Sequence, residues 1–173
     1  GMNVSTISDE GFDDTKSKVG YYAGVFMNVP VSESFSIQPE VLYNNLGSKV
    51  SSTVLGTTYS STLNLDYVAV PVMFQYKATP QFYLEAGPEF GFLVNAKQKF
   101  DNGSSSIVTE LDKEDFNSFN MGVGLGLGFD ISKNVGLNAR YVAGFSDITK
   151  KSGPAADAKN KNNAFQVGLN IKF

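Results

Sequence analysis

The sequence predicts an all-β chain: an antiparallel, up-and-down transmembrane β-barrel of about eight strands. Three observations lead there. Apolar and polar residues alternate with period 2 in segment after segment. The connections between these segments alternate short and long. The polar face of the alternation carries glycine where a water-facing strand would carry Lys, Glu and Thr.

The segments run in order. "MNVSTIS" (2–8) is the least regular and would pair as a first strand. "KVGYYAGVFMNV" (18–29) sets Val19, Tyr21, Ala23, Val25 and Met27 against Gly20, Tyr22, Gly24, Phe26 and Asn28. "SFSIQPEVLYN" (34–44) sets Phe35, Ile37, Pro39, Val41 and Tyr43 against Ser36, Gln38, Glu40, Leu42 and Asn44. "YVAVPVMFQYK" (67–77) and "QFYLEAGPEFGFLV" (81–94) continue the pattern, with Val68, Val70, Phe74, Leu84, Phe90 and Phe92 on the apolar side. "FNMGVGLGLGFD" (119–130) is the cleanest: Met121, Val123, Leu125 and Leu127 alternate with Gly122, Gly124, Gly126 and Gly128. "NVGLNARYVAGF" (134–145) and "NAFQVGLNIKF" (163–173) close the series. Prolines 39, 71 and 88 each remove a ladder hydrogen bond and predict local bulges.

"PVSES" (30–34), "ATPQ" (78–81) and "ISKN" (131–134) are tight turns. Residues 9–17, 47–61, 101–115 and 147–162 read as long polar loops. Outer-membrane barrels have short periplasmic turns and long outer loops, so both termini are expected at the periplasmic end. The length of 173 residues suits a single domain over 1–173.

Composition excludes several function classes. Net charge is −3 and no basic stripe occurs, against nucleic-acid binding. Cys and His are both absent, which removes disulfides, the usual nucleophile–base pairs and most zinc sites. No run of 18 apolar residues marks a transmembrane helix. No basic n-region and apolar run opens the chain, so a mature or trimmed form is expected. Whether Gly1 and Met2 are native stays open. The sequence predicts no enzyme, no cofactor and no metal. Glycines at 122–128 lack the following helix a phosphate loop needs. The acidic stretches 9–14 and 110–115 read as solvated loop charge.

Which face lies inside decides solvent. Eleven glycines sit on the polar face (20, 24, 87, 91, 122, 124, 126, 128, 136, 144 and 168). Glycine weakens a strand, and its use here fits a narrow lumen that must hold large polar side chains. The polar face is therefore read as interior and the apolar face as lipid-facing. Aromatic residues near the strand ends, Phe82, Phe92, Phe119, Phe129, Phe145 and Phe173 among them, fit interfacial girdles. Buried charges must pair. By phase alone, Glu40, Glu85, Glu89 and Arg140 are expected to form one interior cluster.

At these residues the chain resembles the small outer-membrane β-barrel domain often labelled "porin family". "GMNVSTIS", "SIQPEVLYNNLGSK", "LDYVAVPVMFQYK", "FYLEAGPEFGFLV", "GVGLGLGFDI", "LNARYVAGFSDI" and "NNAFQVGLNIKF" look like its successive strands, in order. The resemblance implies an eight-stranded barrel in a Gram-negative outer membrane, and no defined activity. It also implies that the closing strand, with Phe165, Val167, Leu169, Ile171 and Phe173, is the signal read by the barrel-insertion machinery. The expected partners are outer-membrane lipid and lipopolysaccharide, with a monomeric barrel. The leading functional reading is a structural, adhesive or interaction protein acting through long outer loops. A narrow pore for small solutes is the alternative. A soluble lipocalin-like barrel with an apolar ligand is the third reading.

Overall fold

The computed structural model describes residues 1–8, 16–54, 57–101, 105–111, 118–145 and 161–173. These form ten strands: β1 (Met2–Ser8), β2 (Lys16–Phe26), β3 (Val29–Pro30), β4 (Phe35–Val54), β5 (Thr57–Lys77), β6 (Phe82–Asp101), β7 (Ser106–Glu110), β8 (Phe119–Asp130), β9 (Val135–Gly144) and β10 (Lys161–Ile171). Eight of them close a barrel in the order β2-β1-β10-β9-β8-β6-β5-β4, with β4 returning to β2. Every pairing is antiparallel. The irregular segment 2–8 is a barrel strand, paired with β10 over Met2↔Val167 to Ser8↔Lys161.

The alternation is inside out relative to a soluble protein. Val25 is 70% exposed and Leu125 61%, while Gln166 and Ser5 are fully buried. The soluble, ligand-carrying reading is thereby overturned, because the exposed face of the alternation is the apolar one around the barrel, and most of the polar face is buried. The apolar band ends in aromatic pairs. Phe35 packs at a tilt against Tyr76, with ring centroids 5.1 Å apart, and Phe82 pairs with Phe129 beside the tight turns. Phe92 and Phe119 lie 5.5 Å apart farther along β6 and β8. Ten residues separate Phe82 from Phe92, about 33 Å along a strand and about 25 Å after the usual barrel tilt, the height of an outer-membrane apolar band. Leu125 lies midway along β8. Leu125→Arg is expected to lose about 2–4 kcal/mol in urea unfolding from lipid bilayers. Val108→Arg, on β7, should change stability by less than about 0.5 kcal/mol.

The tight turns are built as predicted. Ser132 Oγ accepts from the Asn134 and Val135 amides, and Thr79 Oγ1 from those of Gln81 and Phe82. The prolines differ from expectation. Pairing is interrupted between Pro39↔Val72 and Leu42↔Ala69, and between Pro71↔Glu89 and Phe74↔Ala86, yet the register runs straight across both gaps. The missing amide opens the ladder without inserting a residue. The register shift in β5–β6 falls instead between Asp66 and Tyr67.

The stretch 47–61, read as loop, is the continuation of β4 and β5 outside residues 55–56. The two strands pair from Phe35↔Tyr76 to Val54↔Thr57. About 10 residues span a membrane, and these strands have 20 and 21. The surplus, with the ends of β6 and with β7, makes a four-stranded sheet projecting beyond the barrel at the end opposite the tight turns. Its Ser, Thr and Val residues favour strands but are not split into apolar and polar faces, so the period-2 signal fades there. The acidic stretch 9–14 lies outside the described residues, as does most of 110–115.

Ahead of β1, Gly1 exchanges both backbone hydrogen bonds with Tyr22 of β2, at 2.7 and 2.9 Å.

Candidate functional site

The lumen is the site that the sequence singles out, and its register explains its contents. Gln166, Arg140, Gly126, Glu85, Gln75 and Ser36 lie opposite one another on consecutive strands from β10 to β4. Arg140 is 2% exposed. Its Nη1 and Nη2 donate to the two oxygens of Glu40 at 2.9 and 2.7 Å, a bidentate fork, and its Nε donates to Glu85 Oε1 at 2.8 Å. A charge-assisted fork of this kind fixes geometry as well as charge.

The glycine series on β8 makes the room. A Cβ at Gly126 would lie 2.8 Å from Glu85 Oε1, and one at Gly124 3.3 Å from Arg140 Cδ. A Cβ at Gly128 would overlap the Tyr83 ring. Each of these glycines thus corresponds to one large interior side chain.

The cluster extends beyond the charged residues. Gln38 Nε2 donates to Glu40 Oε1 at 2.9 Å, and Gln75 Nε2 to Glu85 Oε2 at 3.0 Å. Asn28 Nδ2 reaches both glutamines, at 3.1 and 2.8 Å. Asn28, Gln38, Glu40, Arg140, Glu85 and Gln75 therefore form a closed ring of side-chain hydrogen bonds. Sequence reasoning missed the three amides, although Gln38 and Gln75 carry the same inward phase as Glu40 and Glu85. Nearer the turns, Lys172 Nζ meets both oxygens of Asp130 at 2.6 and 2.7 Å.

Glu89 stands apart. It is buried and on the lumen side, but it makes no ion pair with Arg140, and its Oε2 has no hydrogen-bond partner among the described residues. Arg140 has one Nε and one fork to offer, and Glu85 and Glu40 take them. The expected four-residue cluster is a three-residue one with Glu89 outside it.

Toward the projecting sheet the lumen turns apolar. Leu46, Leu65, Tyr67, Leu93, Ala96 and Ala164 pack as one buried cluster, with Leu63 and Leu111 against it. The barrel interior is thus filled by two successive plugs, one ionic and one apolar. The closing strand turns Phe165, Val167, Leu169, Ile171 and Phe173 outward and Gln166 and Gly168 inward. Among the described residues, no group of three or more acidic side chains is arranged to hold a metal ion.

Solved structures share this architecture. The chain is similar to Ail, the attachment invasion locus protein of Yersinia pestis, with 15% identity and a TM-score of 0.55, covering all of this chain and 94% of that one. Ail in complex with the heparin analogue sucrose octasulfate matches at 17% identity and a TM-score of 0.54, over 100% of this chain and 94% of that one. Neisserial surface protein A matches at 11% identity and a TM-score of 0.54, over 99% of this chain and 93% of that one. These likenesses concern the fold. No curated protein matches in sequence. The family described as the outer membrane protein β-barrel domain matches residues 1–150. With that match over a closed eight-stranded barrel whose apolar side faces out, the chain belongs to the outer membrane protein β-barrel domain family.

Proposed function

We propose that this protein is a non-enzymatic, non-conducting barrel that engages partners at the bacterial surface through the sheet built on β4–β7. The projecting sheet carries this reading: β4 and β5 are twice as long as a membrane requires. It presents Tyr59, Phe100, Ile107 and Val108 to solvent. Four of its described charges lie in pairs, Lys97 with Glu110 at 3.3 Å and Lys99 with Asp101 at 3.8 Å, and Lys49 is a single exposed cation. That mixture favours an apolar and polar contact surface over a polyanion site, which would need clustered unpaired cations. The adhesive character of the similar Ail, named for attachment and invasion, is in line with this role.

Two measurements test it. Cells displaying the full protein are expected to adhere to epithelial monolayers. Cells displaying a barrel shortened past Leu46, Leu65 and Asn95 should insert the protein equally well and lose adhesion. Equal adhesion would remove the projecting sheet from the function. In planar bilayers the intact protein should give no unitary current steps, because both plugs cross the lumen; reproducible steps would favour the narrow-pore reading.

A further inference from the structure

Among the described residues, strand β7 is paired on one side only. Its neighbour there is β6, from Lys97↔Glu110 to Asp101↔Ser106. The Leu111 amide donates to the Ala96 carbonyl, which fixes the phase of this ladder. In an antiparallel pair, successive residues turn their N–H and C=O alternately to the two sides. Those of Ile107 and Thr109 therefore point to β6, and those of Ser106, Val108 and Glu110 point away from it. Backbone donors and acceptors thus line an open edge.

Such an edge is ordinarily blunted by proline, a bulge or charge. The sequence of β7 is SIVTE, and its register with β6 is unbroken. Its one charge, Glu110, stands at its end and is engaged by Lys97. All five residues are exposed, Ile107 at 66% and Val108 at 59%.

The edge is complementary to itself. A two-fold axis at Val108 sets Val108 against its own copy, Ile107 against Thr109, and Ser106 against Glu110 of the second copy. No like charges are opposed. The outward backbone groups of Ser106, Val108 and Glu110 then meet their counterparts in about six hydrogen bonds. The direction of the axis decides where the second copy stands. Antiparallel edge strands are related by a two-fold normal to their sheet. The projecting sheet continues the barrel wall, so its plane contains the membrane normal, and the axis lies parallel to the membrane. Rotation about it exchanges up and down. The second barrel therefore stands in a facing membrane and not in the same one.

We propose that β7 pairs with β7 of a second copy in an opposing membrane, making a sheet continuous from one barrel to the other. This rests on the reading of the projecting sheet as a contact surface and names its partner. Five residues a side fall far below the roughly 20–30 of a stable interface. One contact is weak, and the barrel is monomeric in micelles. Many contacts between two apposed membranes act together, and avidity makes the junction firm.

Two populations of phosphatidylcholine vesicles, one with a donor dye and one with an acceptor, measure the contact. Energy transfer is expected when both populations carry the protein, and is expected to be lost when only one does. Val108→Pro should abolish transfer while sparing the barrel, because the amide it removes faces away from β6. Val108→Thr keeps that amide and should keep the transfer. Absence of transfer between wild-type populations overturns the proposal. So does transfer with one population bare, which would mean binding to lipid, and so does transfer that survives Val108→Pro. Should Val108→Pro fail to refold, a thiol decides, since the chain contains no cysteine. Val108 and its copy would have Cα atoms about 5.5 Å apart, within disulfide reach. Val108→Cys should give disulfide-linked dimers in clustered vesicles under mild oxidation, and Lys77→Cys, at the tight-turn end, should not. Monomeric Val108→Cys protein, or equal dimers at both positions, overturns the pairing. These vesicles carry no epithelial partner, so failure here strikes the self-pairing alone and leaves the adhesion test of the projecting sheet to be decided separately.

Discussion

Arg140→Met is expected to lower the unfolding free energy by about 3–5 kcal/mol, the cost of leaving buried carboxylates without their counter-charge. Glu40 and Glu85 would face each other across the lumen, each retaining one glutamine donor. Urea titration in micelles, followed by the heat-dependent gel shift of folded barrels, measures the loss. The triple change Arg140→Met, Glu40→Gln and Glu85→Gln should recover most of it, since a neutral network removes the desolvation cost together with the pairing. If the single variant unfolds at the wild-type urea concentration, the fork contributes nothing. If the triple variant is no better than the single, the deficit arises from packing and not from stranded charge.

The second large effect is expected at Gly87. A Cβ there would overlap the Val72 carbonyl oxygen and approach the Met73 Cα, both backbone atoms of β5 that no rotamer can move aside. Gly87→Val should therefore cost about 3 kcal/mol, at the upper end of overpacking, and should reduce the yield of refolded barrel. Gly91 lies four residues along the same strand, where a Cβ meets its nearest neighbour, Tyr67, at an ordinary 3.4 Å. Gly91→Ala should refold like the unaltered chain. Matching losses at the two positions would mean that strand entropy, not strand approach, governs these glycines.

The contrast between these two residues marks how far the sequence could be read. Period 2 placed Gly87 and Gly91 on the same inward face, but nothing in the letters separates a glycine pressed against a neighbouring backbone from one with space around it. Phase was equally sufficient to bring Glu40, Glu85 and Arg140 to one side of the wall. The separation of Glu85 and Glu89, four residues or about 13 Å along one strand, was equally legible; that Glu40 takes the Arg140 fork and Glu85 its Nε was not. The barrel was legible because lipid outside and side chains inside force strict alternation. The projecting halves of β4 and β5 escaped notice because their Ser, Thr and Val residues do not alternate apolar with polar, so period 2 is lost. The amides of Asn28, Gln38 and Gln75 escaped for a different reason: a charge announces its need for a partner, whereas a neutral amide becomes conspicuous only when its neighbours are known.

The fork between Arg140 and Glu40 has a consequence for the order in which the barrel assembles. Strands β4 and β5 are consecutive in the chain and share eighteen residue pairs, so little loop entropy opposes their meeting. Arg140 and Glu40 are 100 residues apart. Their bond can form only once β9 and β4 face each other across a common lumen. The hairpin is thus an early scaffold, and the fork is a late latch that fastens after the strands around it have met.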